Sequence, residues 1–60
     1  MDLFLEKDRK EANKELDCYN DCMYRAIEHL SKGEFKEASI QHENMARSLA
    51  ELQKLKNAKE

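Results

Sequence analysis

The sequence predicts an all-α chain folded as an antiparallel two-helix hairpin, two copies of which pair into a four-helix bundle. Three observations carry this reading. Good helix formers (Leu, Ala, Glu, Lys, Met) dominate the 60 residues, Pro, Val and Thr are absent, and Ile27 and Ile40 are the only β-branched residues. Apolar residues recur at helical spacing in two separate stretches. A single glycine, Gly33, lies between those stretches.

The first helix is expected over about residues 3–31. Its stripe is Leu5, Ala12, Leu16, Tyr19, Met23, Ala26 and Leu30, widened by Ile27. Acid-before-base pairs four residues apart reinforce the helices: Glu6–Lys10, Asp21–Arg25, Glu28–Lys32 and, in the second helix, Glu43–Arg47. The turn is expected over about residues 31–34, where Gly33 tolerates the left-handed conformation that ends helices. The second helix is expected over about residues 34–57, with a stripe of Phe35, Ala38, His42, Met45, Leu49 and Leu52. Glu34 and Glu37 near its start and Lys54, Lys56 and Lys59 near its end complement the helix dipole.

So short a turn makes the helices antiparallel neighbours. The expected seam is therefore Leu30 facing Phe35, Ala26 facing Ala38, Met23 facing His42, Tyr19 facing Met45, Leu16 facing Leu49 and Ala12 facing Leu52. Arg9 would then stand opposite Lys56, and the seam should fray there, leaving Leu3, Phe4 and Leu5 available. Leu3, Phe4, Tyr24, Ile40 and Leu55 fall off the expected seam and are the candidates for a second interface.

The stretch Lys32–Ala38 resembles the G-x-[FY]-x-x-A turn and second-helix start of tetratricopeptide hairpins, and is similar to turns in microtubule-interacting-and-trafficking domains. Gly33, Phe35 and Ala38 carry the likeness. It implies a tight helical hairpin and, more generally, protein binding. The first helix lacks the tetratricopeptide tryptophan–leucine–glycine pattern, and a solenoid needs about three repeats, so membership of either family is not implied.

Size and charge narrow the function. A chain of 60 residues buries only about 60% of its unfolded surface. It has little material for a substrate pocket, so no enzymatic activity and no cofactor are expected. With 13 acidic and 11 basic residues interspersed and a net charge of −2, no broad basic footprint for nucleic acid is expected. No apolar run approaches the roughly 18 residues of a membrane span, and the opening MDLFLEKDRK does not read as a signal peptide. A cytoplasmic protein with reduced cysteines is expected.

Some residue types invite sharper chemistry. Cys18 and Cys22 share a helical face one turn apart, and His29 lies near the same stripe. His29 is about 10 Å along the axis from Cys22, too far for zinc bonds of about 2.0–2.3 Å. No metal site is expected within one chain; a second chain could complete one from Cys18 and Cys22. No Glu lies three residues before either histidine, which excludes the carboxylate–histidine element of di-iron bundles. His42 on an apolar stripe is a core histidine in the plain reading and a pH switch in the sharper one. Lys54, Lys56 and Lys59 meet Lys7, Arg9, Lys10 and Lys14 at one end of the hairpin, a basic cluster that dipole matching already explains.

The sequence thus leads to a small non-enzymatic interaction protein, an adaptor, regulator or inhibitor. It would form a homodimer through its hairpin and bind a larger protein. The alternative is a metal- or redox-responsive bundle using Cys18 and Cys22; a weaker one is a nucleic-acid-binding regulator.

Overall fold

The structure, a computed structural model, describes residues 3–56. A single 3-10 turn, Glu6–Asp8, leads into α1, Arg9–Ser31; a tight turn then leads into α2, Phe35–Leu55. The two helices pack along their length as an antiparallel hairpin. Among the described residues there is no strand, only one isolated antiparallel bridge between Phe4 and Lys56.

The turn is built from the end of α1. Gly33 has φ +77°, the left-handed conformation that side chains disfavour. This lets the Glu34 N–H donate to the His29 carbonyl at 2.8 Å and the Gly33 N–H donate to the Leu30 carbonyl at 3.0 Å. These two bonds are the paired closure of a Schellman motif, and they satisfy carbonyls that a helix end otherwise leaves open. Such motifs usually add an apolar contact between the same two positions. Here the contact is polar: His29 Nδ1 lies 2.7 Å from a Glu34 carboxylate oxygen. The hydrogen bond from His29 holds the Glu34 carboxyl below its usual range.

The start of α1 differs from the expectation of a helix from residue 3. Leu5 is extended, with ψ 152°, and the helix proper begins at Arg9. The cause lies at the far end of α2. A straight continuation of α1 would carry Phe4 past its partner helix into water. Instead the chain bends so that Phe4 stands opposite Lys56, where it is half-buried. Lys56 is thus paired with Phe4 through the backbone, and this bridge ties the end of the hairpin.

The seam itself is rotated. On both helices three heptad columns matter, and the first is the expected one: Ala12, Tyr19 and Ala26 against Ala38, Met45 and Leu52, all buried or half-buried. The second is an inner column of Glu15, Cys22, His29, Gln41, Ser48 and Leu55, also buried or half-buried. The third is the outer column of Leu16, Met23, Leu30, Phe35, His42 and Leu49, which was expected inside. Of these only Met23 is half-buried; the other five are exposed. Thus Tyr19, Met45 and Leu52 are half-buried, whereas Leu16, Leu30, Phe35, His42 and Leu49, expected in the seam, are exposed.

The physical reason is size. The fully buried positions are Ala12, Cys22, Ala26, Ala38 and Ser48, all small. Small side chains let two helix backbones approach closely, and interaxial distance is set by the residues at the contact. One helix cannot cover three columns of its neighbour. The hairpin closes on the two that include its small residues and leaves the large column out.

Candidate functional site

Two faces of the hairpin follow from this rotation. A groove of about 380 Å³ runs between the helices on one side. Glu15, Cys18, Asp21, Cys22 and Arg25 of α1 and Asn44, Arg47, Ser48 and Glu51 of α2 line it. This is the face toward which the inner column points. The outer column lies beyond the shared column on each helix. Because the helices are antiparallel and step in the same angular sense, both outer columns emerge on the face opposite the groove.

That opposite face carries large apolar side chains; Arg9 continues its α1 outer column, and Asn13 at its edge shares a bay with Lys10, Lys14 and Asp17. Leu30 is 58% exposed, Phe35 67% and Leu49 50%. The adjoining heptad column is Asn13, Asn20 and Ile27 on α1 and Ser39, Ala46 and Gln53 on α2. None of these residues carries a formal charge, in a chain that is 40% charged. The groove side is the reverse: Asp21 and Arg25 pair at 3.0 Å, Glu28 and Lys32 at 3.7 Å and Glu51 and Lys54 at 3.3 Å. These exposed pairs keep that side solvated and contribute little to stability.

The five residues expected to form a second interface do not converge. Leu3 is exposed near the start of the described chain, and Phe4 is half-buried against the end of α2. Leu55 lies half-buried in the inner column of the seam. Tyr24 is exposed at the α1 margin of the apolar face, while Ile40 is exposed on α2 at the margin of the groove. What the sequence reading missed is that the outer column was itself the available surface. The signal for it was present: Asn13, Asn20, Ile27, Ser39, Ala46 and Gln53 form an uncharged heptad column beside it.

The cysteines lie on the groove side. Both are free thiols, Cys18 exposed and Cys22 buried. Burial pushes the Cys22 thiol up, the neighbouring Cys18 and then Asp21 push it further, and Arg25 opposes them. The thiolate needed for nucleophilic attack or metal ligation is thereby disfavoured. Among the described residues no three His, Cys, Asp or Glu side chains gather as a metal-binding group. The basic residues Lys7, Lys10 and Lys14 border an open bay on one flank of the chain, interleaved with Glu11 and Asp17. Lys59 lies outside the described residues. No helix among the described residues is long and apolar enough to cross a membrane.

Compared with known protein families, curated proteins and solved structures, the chain shows no significant match.

Proposed function

We propose that this chain is a small non-catalytic protein-interaction module that self-associates through its apolar face into a four-helix bundle and, so assembled, binds a larger protein. The observation that carries the reading is the exposed outer column, Leu16, Leu30, Phe35 and Leu49, on one face. Large apolar side chains gathered on one face are the usual mark of an association surface.

A second copy is the occupant that fits best. The outer columns from Leu16 to Leu30 and from Phe35 to Leu49 carry no carboxylate, lysine or arginine, so these stretches meet a copy of themselves without like-charge repulsion. The chain exposes 4922 Å², about 800 Å² more than a compact protein of 7.1 kDa, as befits a thin rod with an apolar face left uncovered. The repeat of shared, inner and outer columns is the pattern of bundle helices, which bury a stripe wider than a two-stranded seam.

With that face covered, Tyr24 and Ile40 remain at its edge and beyond it as anchors for a larger partner, where the module acts by occupancy: masking, bridging or displacing. Its setting in this reading is the cytoplasm, in keeping with two unpaired thiols.

Sedimentation equilibrium tests the proposal. Leu30→Glu with Leu49→Glu is expected to reduce the dimer to a helical monomer, and Leu49→Asn alone to weaken it. Tyr24→Ala with Ile40→Ala is expected to leave the dimer intact. A double-Glu variant that dimerises as tightly as the parent chain would place the interface elsewhere.

A further inference from the structure

We propose that Cys18 and Cys22 form a dithiol site for a monosubstituted trivalent arsenical, R–As(OH)₂, on the groove face of the hairpin. The site lies opposite the association face and does not depend on it. Both thiols are free and line the same groove of about 380 Å³, Cys18 exposed and Cys22 buried. They stand four residues apart on α1, so their side chains leave one helix face in parallel, one turn apart. Burial, and then the neighbouring Cys18 thiol, push the Cys22 thiol up, a coupling that only close sulfurs have. Spacing decides which link the pair can accept. Cβ atoms four residues apart on a helix are about 5–6 Å from each other. A disulfide needs about 3.5–4.5 Å, so direct S–S closure would have to distort α1. One bridging atom with two sulfur bonds of about 2.3 Å, the length found at zinc, spans the wider gap.

Ligand count and charge decide which atom bridges. Among the described residues no third His, Cys, Asp or Glu gathers with the pair. A tetrahedral zinc ion would lack half its ligands. The groove carries Glu15, Asp21 and Glu51 against Arg25 and Arg47, a slight negative excess beside a buried thiol. A monovalent soft ion such as Cu(I) would displace two thiol protons and leave one more negative charge there, which burial opposes. The arsenical adds none. Each As–OH bond is exchanged for an As–S bond, each thiol proton leaves with the hydroxide as water, and arsenic stays trivalent. The product is neutral, and no free thiolate has to persist at Cys22. Trivalent arsenic is pyramidal with bonds near right angles, which suits two parallel side chains, and its third substituent has the open groove to occupy. Packing against α2 keeps α1 helical and so holds the two thiols at this spacing before the ligand arrives. The folded chain therefore has less freedom to lose on binding than the unfolded one.

The experiment titrates the reduced full chain with phenylarsine oxide, which hydrates to the R–As(OH)₂ form. Adducts are read by native mass spectrometry and helix stability by circular dichroism. The titration is repeated in concentrated urea, and with Cys18→Ser and Cys22→Ser. The expected result is one phenylarsenic unit per chain and a higher melting temperature, with affinity at least about tenfold weaker in urea and about 100-fold weaker in either variant. Zinc(II) added under the same conditions is expected to leave the chain unloaded. The urea comparison uses the parent chain, so the test stands even if Cys22→Ser unfolds the hairpin. No adduct on the folded chain, or an adduct equally tight on the unfolded one, would show that the fold builds no site and overturns the proposal. Two arsenic units on one chain, or one arsenic joining two chains, also overturns it, since Cys18 and Cys22 then do not act as a pair. Tight zinc binding by a single chain would mean that further ligands gather there, which contradicts a two-thiol site.

Discussion

Gly33 holds a conformation that only its lack of a side chain makes cheap, yet a Cβ there would meet nothing within 4 Å. The cost of replacing it is therefore conformational rather than steric. Gly33→Ala is expected to lose about 1–2 kcal/mol in urea denaturation, and Gly33→Asn clearly less, because Asn tolerates the left-handed region. The same turn has a pH signature in the Glu34 carboxyl, which the His29 hydrogen bond holds below its usual value of 4.5. A carboxyl depressed in the folded state contributes stability above its unfolded pKa, and this is lost as pH falls through the folded value. Acid titration should thus destabilise the parent chain below about pH 4.5 more than it does Glu34→Gln, as checked by thermal melts between pH 6 and 3. Gln41 is the counterexample to good design in the seam: its side-chain oxygen is buried with no hydrogen-bond partner among the described residues. Leaving such an atom unsatisfied costs on the order of 1–3 kcal/mol, so Gln41→Leu is expected to raise the urea midpoint.

Each helix offers three heptad columns, and the choice among them was the part of the fold the sequence left open. Helix content, the turn at Gly33 and the antiparallel pairing were legible because each follows from local chemistry: good helix formers, one left-handed residue, a short connection. The burial of Ala12, Tyr19, Ala26, Ala38, Met45 and Leu52 follows the apolar spacing of both helices. The second seam column was not legible. Apolarity ranks Leu16, Leu30, Phe35 and Leu49 above Glu15, His29, Gln41 and Ser48, and a reading by hydropathy puts the large residues inside. Packing rewards close backbone approach instead, and Cys22 and Ser48 permit it. The helix start was misplaced for a related reason: the bend that lays Phe4 against the end of α2 is a tertiary contact that no local pattern records. Substitutions should separate the two columns. Ala26→Leu, which overfills the seam, is expected to destabilise the hairpin by about 1–3 kcal/mol. Ala46→Leu, on the outer face, is expected to leave folding intact in the same denaturation assay.

The whole molecule is a rod of 42 × 16 × 14 Å. Its radius of gyration is 13.6 Å, against about 10 Å for a compact chain of this length. No large side chain is fully buried among the described residues. Such a hairpin has a seam but no core, and hydrophobic stabilisation scales with the apolar area removed from water. In the proposed dimer a second hairpin laid on the outer columns would supply that core, with Leu16, Met23, Leu30, Phe35, His42 and Leu49 from each copy in its central layers. Folding and assembly are then expected to be coupled, with the melting temperature rising with protein concentration. Isotope-filtered NOE spectroscopy on an equimolar mixture of ¹³C-labelled and unlabelled chains tests this arrangement most directly. The account requires intermolecular NOEs to the methyl groups of Leu16, Ile27, Leu30 and Leu49, with the Ala12, Ala26 and Ala38 methyls showing strong intramolecular contacts across the seam. Strong contacts within one chain between the Leu30 methyls and the Phe35 ring and between the Leu16 and Leu49 methyls, with none between chains, would contradict it.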